Sequence, residues 1–292
     1  MIIKTNCESK KIKKACEQLK ETKFHLEKVL DFYEKIFLLQ AESFKTLEID
    51  PVLISQELLQ TKLAENFPLI TRKEFSIDFQ SSEKLFKKIC HLCSDYRIKA
   101  HESMISLLKM VENNEFFFKE IVEKFLNQNN SWFDMFTKNN GIEKENLEFL
   151  LYNSLKPSIV QCSEQITSYL DNTPSKTQIQ GYCPVCGSMP GVSLLSYENG
   201  ERSLVCSFCW HEWKTRRIFC PFCSTIDAKD LSYLKIEGED GLRGDVCDKC
   251  MKYIKTIDLR EYNNDIYLPL ELLGAIPLDM KLQGDGYSSG TD

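Results

Sequence analysis

Eight of the thirteen cysteines stand in four Cys-x-x-Cys pairs within one stretch of the chain. The pairs are Cys183/Cys186, Cys206/Cys209, Cys220/Cys223 and Cys247/Cys250. Two cysteines separated by two residues present both sulfurs to one point when the chain turns tightly between them. A second such turn across a hairpin completes a tetrahedron, which is the closed four-thiolate geometry of structural metal sites. The spacing therefore predicts two four-sulfur metal sites.

Two predicted β-hairpins decide which pairs share a site. The Asn199-Gly200 step lies between apolar-rich runs and predicts a turn that folds the second pair back onto the first. The glycine-containing segment 237–241 predicts a second hairpin between the third and fourth pairs. The assigned ligands are Cys183, Cys186, Cys206 and Cys209 in site 1, and Cys220, Cys223, Cys247 and Cys250 in site 2. A crossed arrangement, with the first pair joined to the third and the second to the fourth, stays open from sequence alone.

The metal ions are expected to supply most of the stability of these hairpins. Each four-cysteine ribbon has only about 40 residues, a length at which an apolar core alone rarely suffices. Structural zinc contributes an apparent ~10–16 kcal/mol in comparable small modules near neutral pH. We therefore expect metal removal from one site to unfold its ribbon and to leave the helical domain folded. Tetrathiolate sites suit zinc and iron alike, and the Cys-Pro-x-Cys-Gly turn at 183–187 also occurs in rubredoxins, so the spacing leaves the metal open.

The chain before these pairs is predicted to be helical. Its first 180 residues contain one glycine, Gly141, and the other eleven glycines follow. A Lys/Glu/Leu/Phe-rich sequence with apolar residues three and four apart is typical of amphipathic helices. We predict a bundle of about six helices, the last beginning at Pro157. The fold class is therefore α plus small β: an N-terminal helical bundle followed by two rubredoxin-like or zinc-ribbon modules. The predicted domains are a helical domain at 1–175, ribbons at 179–213 and 214–262, and a tail with a short helix at 263–292.

Composition and charge argue against several classes of protein. The chain has 292 residues and a net charge of −6, so it lacks the global positive field that recruits nucleic acid or anionic lipid. It contains no run of about 18 apolar residues, so membrane insertion is not expected. An odd number of cysteines fits thiolates bound to metal in a reducing compartment better than a secreted disulfide framework. We therefore expect a cytoplasmic protein.

A fifth cysteine pair and one histidine are further candidates for functional residues. Cys90 and Cys93 form a fifth Cys-x-x-Cys pair inside the helical part, but they lie on an apolar stripe with no second pair nearby, which favours core packing. His211 follows the second pair and could replace a sulfur, although four cysteines already fill a tetrahedron. Dithiol redox catalysis is disfavoured because a thioredoxin-type motif is usually a single pair at a strand-to-helix junction.

Enzymatic and nucleic-acid-binding functions find little support in the sequence. Phosphate-binding glycine loops, dinucleotide fingerprints, H-E-x-x-H and G-x-S-x-G are all missing, and a closed tetrathiolate site has no open position for substrate. Residues 181–260 contain eleven Lys/Arg and eleven Asp/Glu, without the stripe of positive charge that a phosphate-binding surface needs. We therefore expect a metal-stabilised binding protein that is not an enzyme.

The four cysteine pairs resemble those of the FdhE family of formate dehydrogenase accessory proteins. The similar segments are C-P-V-C-G-S-M-P at 183–190, C-S-F-C-W-H-E-W at 206–213, R-R-I-F-C-P-F-C at 216–223 and V-C-D-K-C-M-K-Y-I-K-T-I-D at 246–258. The resemblance implies a helical N-terminal domain, a C-terminal pair of rubredoxin-like modules and iron-binding cysteines. It also implies a cytoplasmic factor that binds the catalytic subunit of a formate dehydrogenase during assembly. The alternatives are a rubredoxin-like electron carrier or redox sensor, and then a nucleic-acid-binding zinc ribbon.

Overall fold

The N-terminal part of the chain is a helical domain, as the scarcity of glycine predicts. The computed structural model describes residues 9–96, 101–113, 116–171, 180–262 and 266–291, so the predicted boundaries at 175, 179 and 263 lie outside the described residues. The helices of this domain are α1 (Ser9–Thr22), α2 (Glu27–Ser43), α3 (Gln56–Ala64), α4 (Phe79–Asp95), α5 (His101–Glu112), α6 (Phe118–Leu126), α7 (Asn130–Asn140) and α8 (Lys144–Asp171). These eight exceed the six or so expected, because helices as short as α3 and α6 contain too few turns to display a clear period.

The long helix α8 lies at the centre of the helical core. Its residues Leu147, Leu150, Leu151 and Leu155 recur at helical spacing and are fully buried. Helix α4 packs against it, and Phe86 is fully buried on the facing side of α4. The apolar residues at helical spacing in α8 therefore form the face that is buried in the core.

Pro157 lies inside α8 rather than at the start of a helix, so the prediction that a last helix begins there is wrong. Proline has no N–H, and the carbonyl four residues earlier, that of Asn153, loses its usual helical donor. The side chain of Gln40 in α2 supplies the missing hydrogen bond, because its Nε2 donates to the Asn153 carbonyl at 2.8 Å. A contact from a distant helix thus allows α8 to continue through the proline.

The two predicted hairpins are present, and they belong to one sheet. The strands are β1 (Pro190–Leu195), β2 (Arg202–Cys206), β3 (Glu212–Lys214), β4 (Leu231–Leu234), β5 (Leu242–Cys247), β6 (Lys252–Asp258) and β7 (Ser288–Ser289). Their order is β3-β2-β1-β6-β5-β4, and β7 also pairs with β6. Strands β1 and β6 run parallel, with Val192 opposite Lys255 and Leu195 opposite Asp258. This pairing joins the two ribbons, and the local hairpin signals gave no indication of it.

A buried arginine also connects the two hairpins. Arg202 in β2 donates from Nε to the Ser193 hydroxyl at 2.8 Å and from Nη1 to the Phe219 carbonyl at 3.0 Å. Its Nη2 lies 3.4 Å from the carboxylate of Asp245 in β5. Because Phe219 directly precedes the third cysteine pair, this side chain links the first hairpin to the backbone beside site 2.

The sheet has a second small core beneath two closing helices. Helices α9 (Leu268–Gly274) and α10 (Ile276–Gly284) follow the last long strand, where the sequence predicted one short helix. Leu278 and Leu282 of α10 are buried against Val246 and Ile257 of the sheet. The fold class predicted from the sequence, a helical domain followed by a small sheet with two four-cysteine groups, is confirmed.

Candidate metal centres

The four Cys-x-x-Cys turns, here called knuckles 1 to 4 in chain order, share one backbone conformation. The residue after the second cysteine has a positive φ in every case: Gly187 at 75°, Trp210 at 63°, Ser224 at 59° and Met251 at 54°. A left-handed backbone conformation is unfavourable for residues other than glycine. The turn itself therefore imposes the positive φ at the three positions that are not glycine. In knuckles 1, 3 and 4 the N–H of this residue donates to the carbonyl of the first cysteine at 2.8 or 2.9 Å. This shared conformation therefore directs both sulfurs of a pair toward the same point.

Site 1 brings together the four cysteines of knuckles 1 and 2. Their sulfurs all lie within 4.8 Å of one another, with 3.6 Å between Cys183 and Cys209 and 3.5 Å between Cys186 and Cys206. All four residues are buried, with exposed fractions of 0 to 7%. The backbone N–H groups of Phe208 and Cys209 donate to the Cys206 sulfur at 3.4 and 3.3 Å.

Site 2 brings together the cysteines of knuckles 3 and 4 in the same way. Its sulfurs also lie within 4.8 Å of one another, with 3.6 Å between Cys220 and Cys250 and 3.7 Å between Cys223 and Cys247. Cys220 and Cys247 are buried, whereas Cys223 and Cys250 are only half-buried. The structure thus groups the pairs consecutively, as the hairpins predict, and the crossed arrangement is wrong.

The geometry of both groups fits a tetrahedral metal ion. Metal–sulfur bonds of about 2.3 Å place the sulfurs of a tetrahedron about 3.8 Å apart, close to the distances at both sites. None of the cysteines in the described ranges forms a disulfide bond. Burial raises the pKa of Cys183 and of Cys209, so four thiolates in this space need a compensating cation. Each group of four cysteines could therefore hold one metal ion.

The helical domain contacts knuckle 1 through backbone hydrogen bonds. The N–H groups of Leu69 and Ile70 donate to the carbonyls of Pro184 and Val185, each at 2.9 Å. Pro184 and Val185 are the two residues between the cysteines of this knuckle. A segment between α3 and α4 is therefore paired directly with the backbone of site 1.

Helix α8 contacts knuckle 2 through two side chains, one turn apart. The Tyr152 hydroxyl donates to the Phe208 carbonyl at 2.9 Å and accepts from Nε1 of Trp210 at 2.8 Å. The Lys156 ammonium lies 4.0 Å from the centre of the Trp210 ring, a cation–π contact. These contacts hold Trp210 in its left-handed conformation beside the second cysteine.

Arg72 adds a third contact between the helical domain and site 1. Its guanidinium lies 4.4 Å from the centre of the Phe208 ring and donates from Nη2 to the Ser188 hydroxyl at 3.1 Å. Phe75 packs edge-on against the same Phe208 ring. The cysteines of site 1 and the apolar residues of the helices consequently form one continuous core, which contains none of the site 2 cysteines.

The sequence did not identify Tyr152, Lys156 and Arg72 as residues of site 1. Tyr152 and Lys156 are polar positions four residues apart on the apolar face of α8, which is the one local signal of a contact. Burial lowers the pKa of Lys156 to about 7, consistent with its 6% exposed fraction. Their partners lie more than fifty residues further along the chain, so local patterns alone do not reveal the pairing.

The other candidate functional residues, which are His211, Cys90 and Cys93, lie outside the two cysteine groups. The Nδ1 atom of His211 is 3.0 Å from the Thr167 hydroxyl, and the ring stacks on Trp213. Cys90 and Cys93 are buried in the helical core, where burial raises the pKa of Cys93 to about 12. Within the described ranges, the groups of His, Cys, Asp and Glu that could hold a metal are the two above. No helix in the described part of the chain is long and apolar enough to cross a membrane.

Comparison with known proteins connects this architecture to a family. The sequence model described as "FdhE, central domain" matches residues 182–217, which contain knuckles 1 and 2. A protein of Aquifex aeolicus (strain VF5) named "Protein FdhE homolog" is 24% identical over 273 residues, or 92% of this chain and 88% of that protein. The resemblance to the FdhE family is confirmed.

Further FdhE proteins agree with this result. A "Protein FdhE homolog" of Pseudomonas aeruginosa is 35% identical over 122 residues, a match that spans 38% of each chain. The crystal structure of the FdhE protein from Pseudomonas aeruginosa superposes with a TM-score of 0.64, covering 98% of this chain and 96% of that chain at 20% identity. At that identity the superposition demonstrates a shared fold across the helical domain and the sheet.

Proposed function

We propose that this chain is an accessory factor for formate dehydrogenase that binds the catalytic subunit of the enzyme during its assembly. The observation that carries the proposal is the pair of four-cysteine groups, attached to a helical domain in the arrangement of the FdhE fold. The names of the relatives support the connection with formate dehydrogenase. We place this role in the cytoplasm, where thiols stay reduced and available to metal.

The role proposed for the eight cysteines is to bind two metal ions. Site 1 and site 2 each offer four sulfurs at tetrahedral spacing. The family resemblance favours iron, and the geometry fits zinc equally well. A filled tetrathiolate site has no coordination position for substrate, which supports a binding function over an enzymatic one.

Metal binding is tested by elemental analysis of protein purified without oxygen. We expect two metal ions per chain, and one after Cys220→Ser/Cys223→Ser removes half of the ligands of site 2. The matched control is Cys90→Ala/Cys93→Ala, which alters the Cys-x-x-Cys pair of α4 and should leave two ions bound. Wild-type protein with no bound metal would contradict the assignment of both sites.

Client binding is tested by affinity purification from cells that make a formate dehydrogenase. The tagged chain should retain the catalytic subunit, and the tag alone should not. Cells lacking the protein should lose most formate dehydrogenase activity while still synthesising the catalytic subunit. Full activity in such cells would count decisively against an accessory role.

A second candidate function is electron transfer of the rubredoxin type. The half-buried position of Cys223 and Cys250 favours it, because a redox metal must lie near the surface to exchange electrons with a partner. Voltammetry of iron-loaded protein distinguishes the two functions. A reversible couple that Cys250→Ser abolishes, together with normal client binding by the variant, would assign electron transfer to site 2.

A further inference from the structure

The segment of residues 287–291, here called the strap, lies across both knuckles of site 2. It follows α10 and contains the two-residue strand β7, which pairs in parallel with Lys252 and Tyr253 at the start of β6. Lys252 comes two residues after Cys250, the last cysteine of knuckle 4. The strap therefore meets the sheet directly beside knuckle 4.

Hydrogen bonds from the backbone and the side chains of the strap attach it to knuckle 4. The Ser288 N–H donates to the carbonyl of Met251 at 2.9 Å, and the Tyr287 hydroxyl donates to the Asp248 carboxylate at 2.5 Å. Met251 is the left-handed residue whose own N–H closes the knuckle onto the Cys247 carbonyl at 2.8 Å. The strap thus stabilises the conformation that aims the sulfurs of this knuckle.

The same strap is packed tightly against knuckle 3. Gly290 is buried against the ring of Phe222, which lies between Cys220 and Cys223, and a Cβ built on Gly290 would overlap that ring. A larger residue here would displace the Phe222 ring or the strap. A single short segment consequently contacts both turns that supply the four sulfurs of site 2.

The strap is paired with the sheet less extensively than the neighbouring strands are. Its pairing with the sheet consists of two residues, whereas β6 retains β5 along its whole length and β1 along its second half. It is preceded by Gly286, at a φ of 93° with open space around it, and such positions absorb backbone rotation at hinges. Short, half-exposed elements of this kind open at low free-energy cost.

We propose that the strap controls the opening of site 2. With the strap bound, knuckles 3 and 4 are held together and the metal is retained. With the strap displaced, Cys223 and Cys250 become accessible and site 2 exchanges its metal, which passes to an acceptor ligand while the sulfurs take up protons from water. This inference rests on the proposed function of site 2 as a metal site.

The first test measures metal release from zinc-loaded protein to the chromophoric chelator 4-(2-pyridylazo)resorcinol. Shortening the chain to residues 1–286 removes the hydrogen bonds of the strap, which should accelerate release of one of the two zinc ions about tenfold or more. Gly290→Ala should act in the same direction because its methyl group pushes the strap away from Phe222. The matched control is Gly284→Ala, where a Cβ has no neighbour within 4 Å and release should be unchanged.

The second test measures the accessibility of the cysteines instead of the release of metal. Protein as purified, without removal of any bound metal, is alkylated with iodoacetamide, and modification of each cysteine is followed by peptide mass spectrometry. We expect Cys223 and Cys250 to react about tenfold faster in the 1–286 protein than in the full chain, with Cys183 unchanged. A peptide with the sequence of residues 284–292, added to the shortened protein, should slow the reaction again.

The two tests separate failure of the strap from failure of the metal sites. Equal alkylation of Cys223 and Cys250 in the full and shortened chains overturns the proposal, even if both sites bind zinc. Release of both zinc ions at the wild-type rate from the shortened chain overturns it equally. Absence of bound zinc in the wild type contradicts the proposed function instead, and alkylation then decides whether the strap restricts access.

Discussion

Site 1 and site 2 are built from the same knuckles but have different neighbours. The cysteines of site 1 are buried in the core of the helical domain, which contacts both of its knuckles through α8 and the segment between α3 and α4. Site 2 has two half-buried cysteines, and the 287–291 strap contacts both of its knuckles. The same four-cysteine arrangement therefore lies in two different environments, one enclosed by the core of the helices and one partly open to solvent.

The strongest test of this contrast replaces one cysteine in each site. Cys206→Ser should lower the free energy of unfolding of the whole protein by several kcal/mol, out of the roughly 10–16 kcal/mol that a structural zinc ion contributes. Cys250→Ser should leave the helical transition unchanged, because no site 2 cysteine belongs to the helical core. Thermal unfolding followed by circular dichroism at 222 nm measures both.

A buried cysteine outside the sites provides the reference for that experiment. Cys162→Ser places a hydroxyl in the core of α8 and should cost about 1–3 kcal/mol. If Cys206→Ser costs no more than Cys162→Ser, site 1 does not hold the helical domain. From the sequence we expected metal loss from either site to leave the helices folded. Because site 1 shares its core with the helices, we now expect this only for metal loss from site 2.

The pH dependence of stability should report on the buried lysine beside site 1. Burial lowers the pKa of Lys156 to about 7 in the folded protein, whereas the pKa of a lysine in an unfolded chain is about 10.4. Between these values the unfolded state binds a proton that the folded state lacks, so stability rises with pH by up to about 1.4 kcal/mol per unit. Lys156→Met should flatten this rise between pH 7 and 9 in urea unfolding.

An exposed lysine serves as the control for the pH experiment. Lys84→Met, on the solvent side of α4, should retain the wild-type slope. A slope that persists in Lys156→Met would show that the ammonium is not desolvated beside Trp210.

The two sites should release their metal ions at different rates in the unmodified protein. Zinc in site 2 should pass to a chelator about tenfold faster than zinc in site 1, since local opening needs less free energy where ligands are half-exposed. Two phases of equal amplitude are expected, and Cys250→Ser should remove the fast one. A fast phase that survives in this variant would assign it to site 1 and reverse the comparison.

The smallest expected effect concerns one hydroxyl at the contact between α8 and knuckle 2. Tyr152→Phe removes the hydrogen bonds to the Phe208 carbonyl and from Trp210, which should destabilise the protein by about 1 kcal/mol. Tyr233→Phe, at a ring that is 55% exposed in β4, should change stability by less than about 0.5 kcal/mol. Equal effects of the two substitutions would mean that the α8 contact contributes nothing specific to site 1.

Local sequence signals predicted the parts of this molecule that depend on neighbours in the chain. The cysteine spacing and the turns at Asn199-Gly200 and 237–241 predicted which sulfurs meet, because a hairpin is closed by its own residues. The scarcity of glycine before Gly181 predicted the helical domain. The metal itself and the boundaries of the domains stay predictions.

Contacts between distant segments could not be predicted from the same signals. The parallel pairing of β1 with β6, the hydrogen bond from Gln40 that allows α8 to pass through Pro157, and the contact of Tyr152 with Phe208 each join residues far apart in sequence. No periodicity or turn motif specifies such partners, because each side is compatible with many others. A single sequence therefore predicted which cysteines lie together and not the residues that surround them.

The parallel pairing of β1 with β6 has a consequence for how the chain reaches its native state. Every residue of the second hairpin lies between these two strands in the sequence, so the pairing of β1 with β6 forms only after that hairpin has been synthesised. Contacts of such long sequence separation make folding slow, since loop-closure entropy must be overcome before the pairing forms. We therefore expect refolding from urea to show rapid recovery of helical circular dichroism, followed by a slower phase in which the sheet is completed.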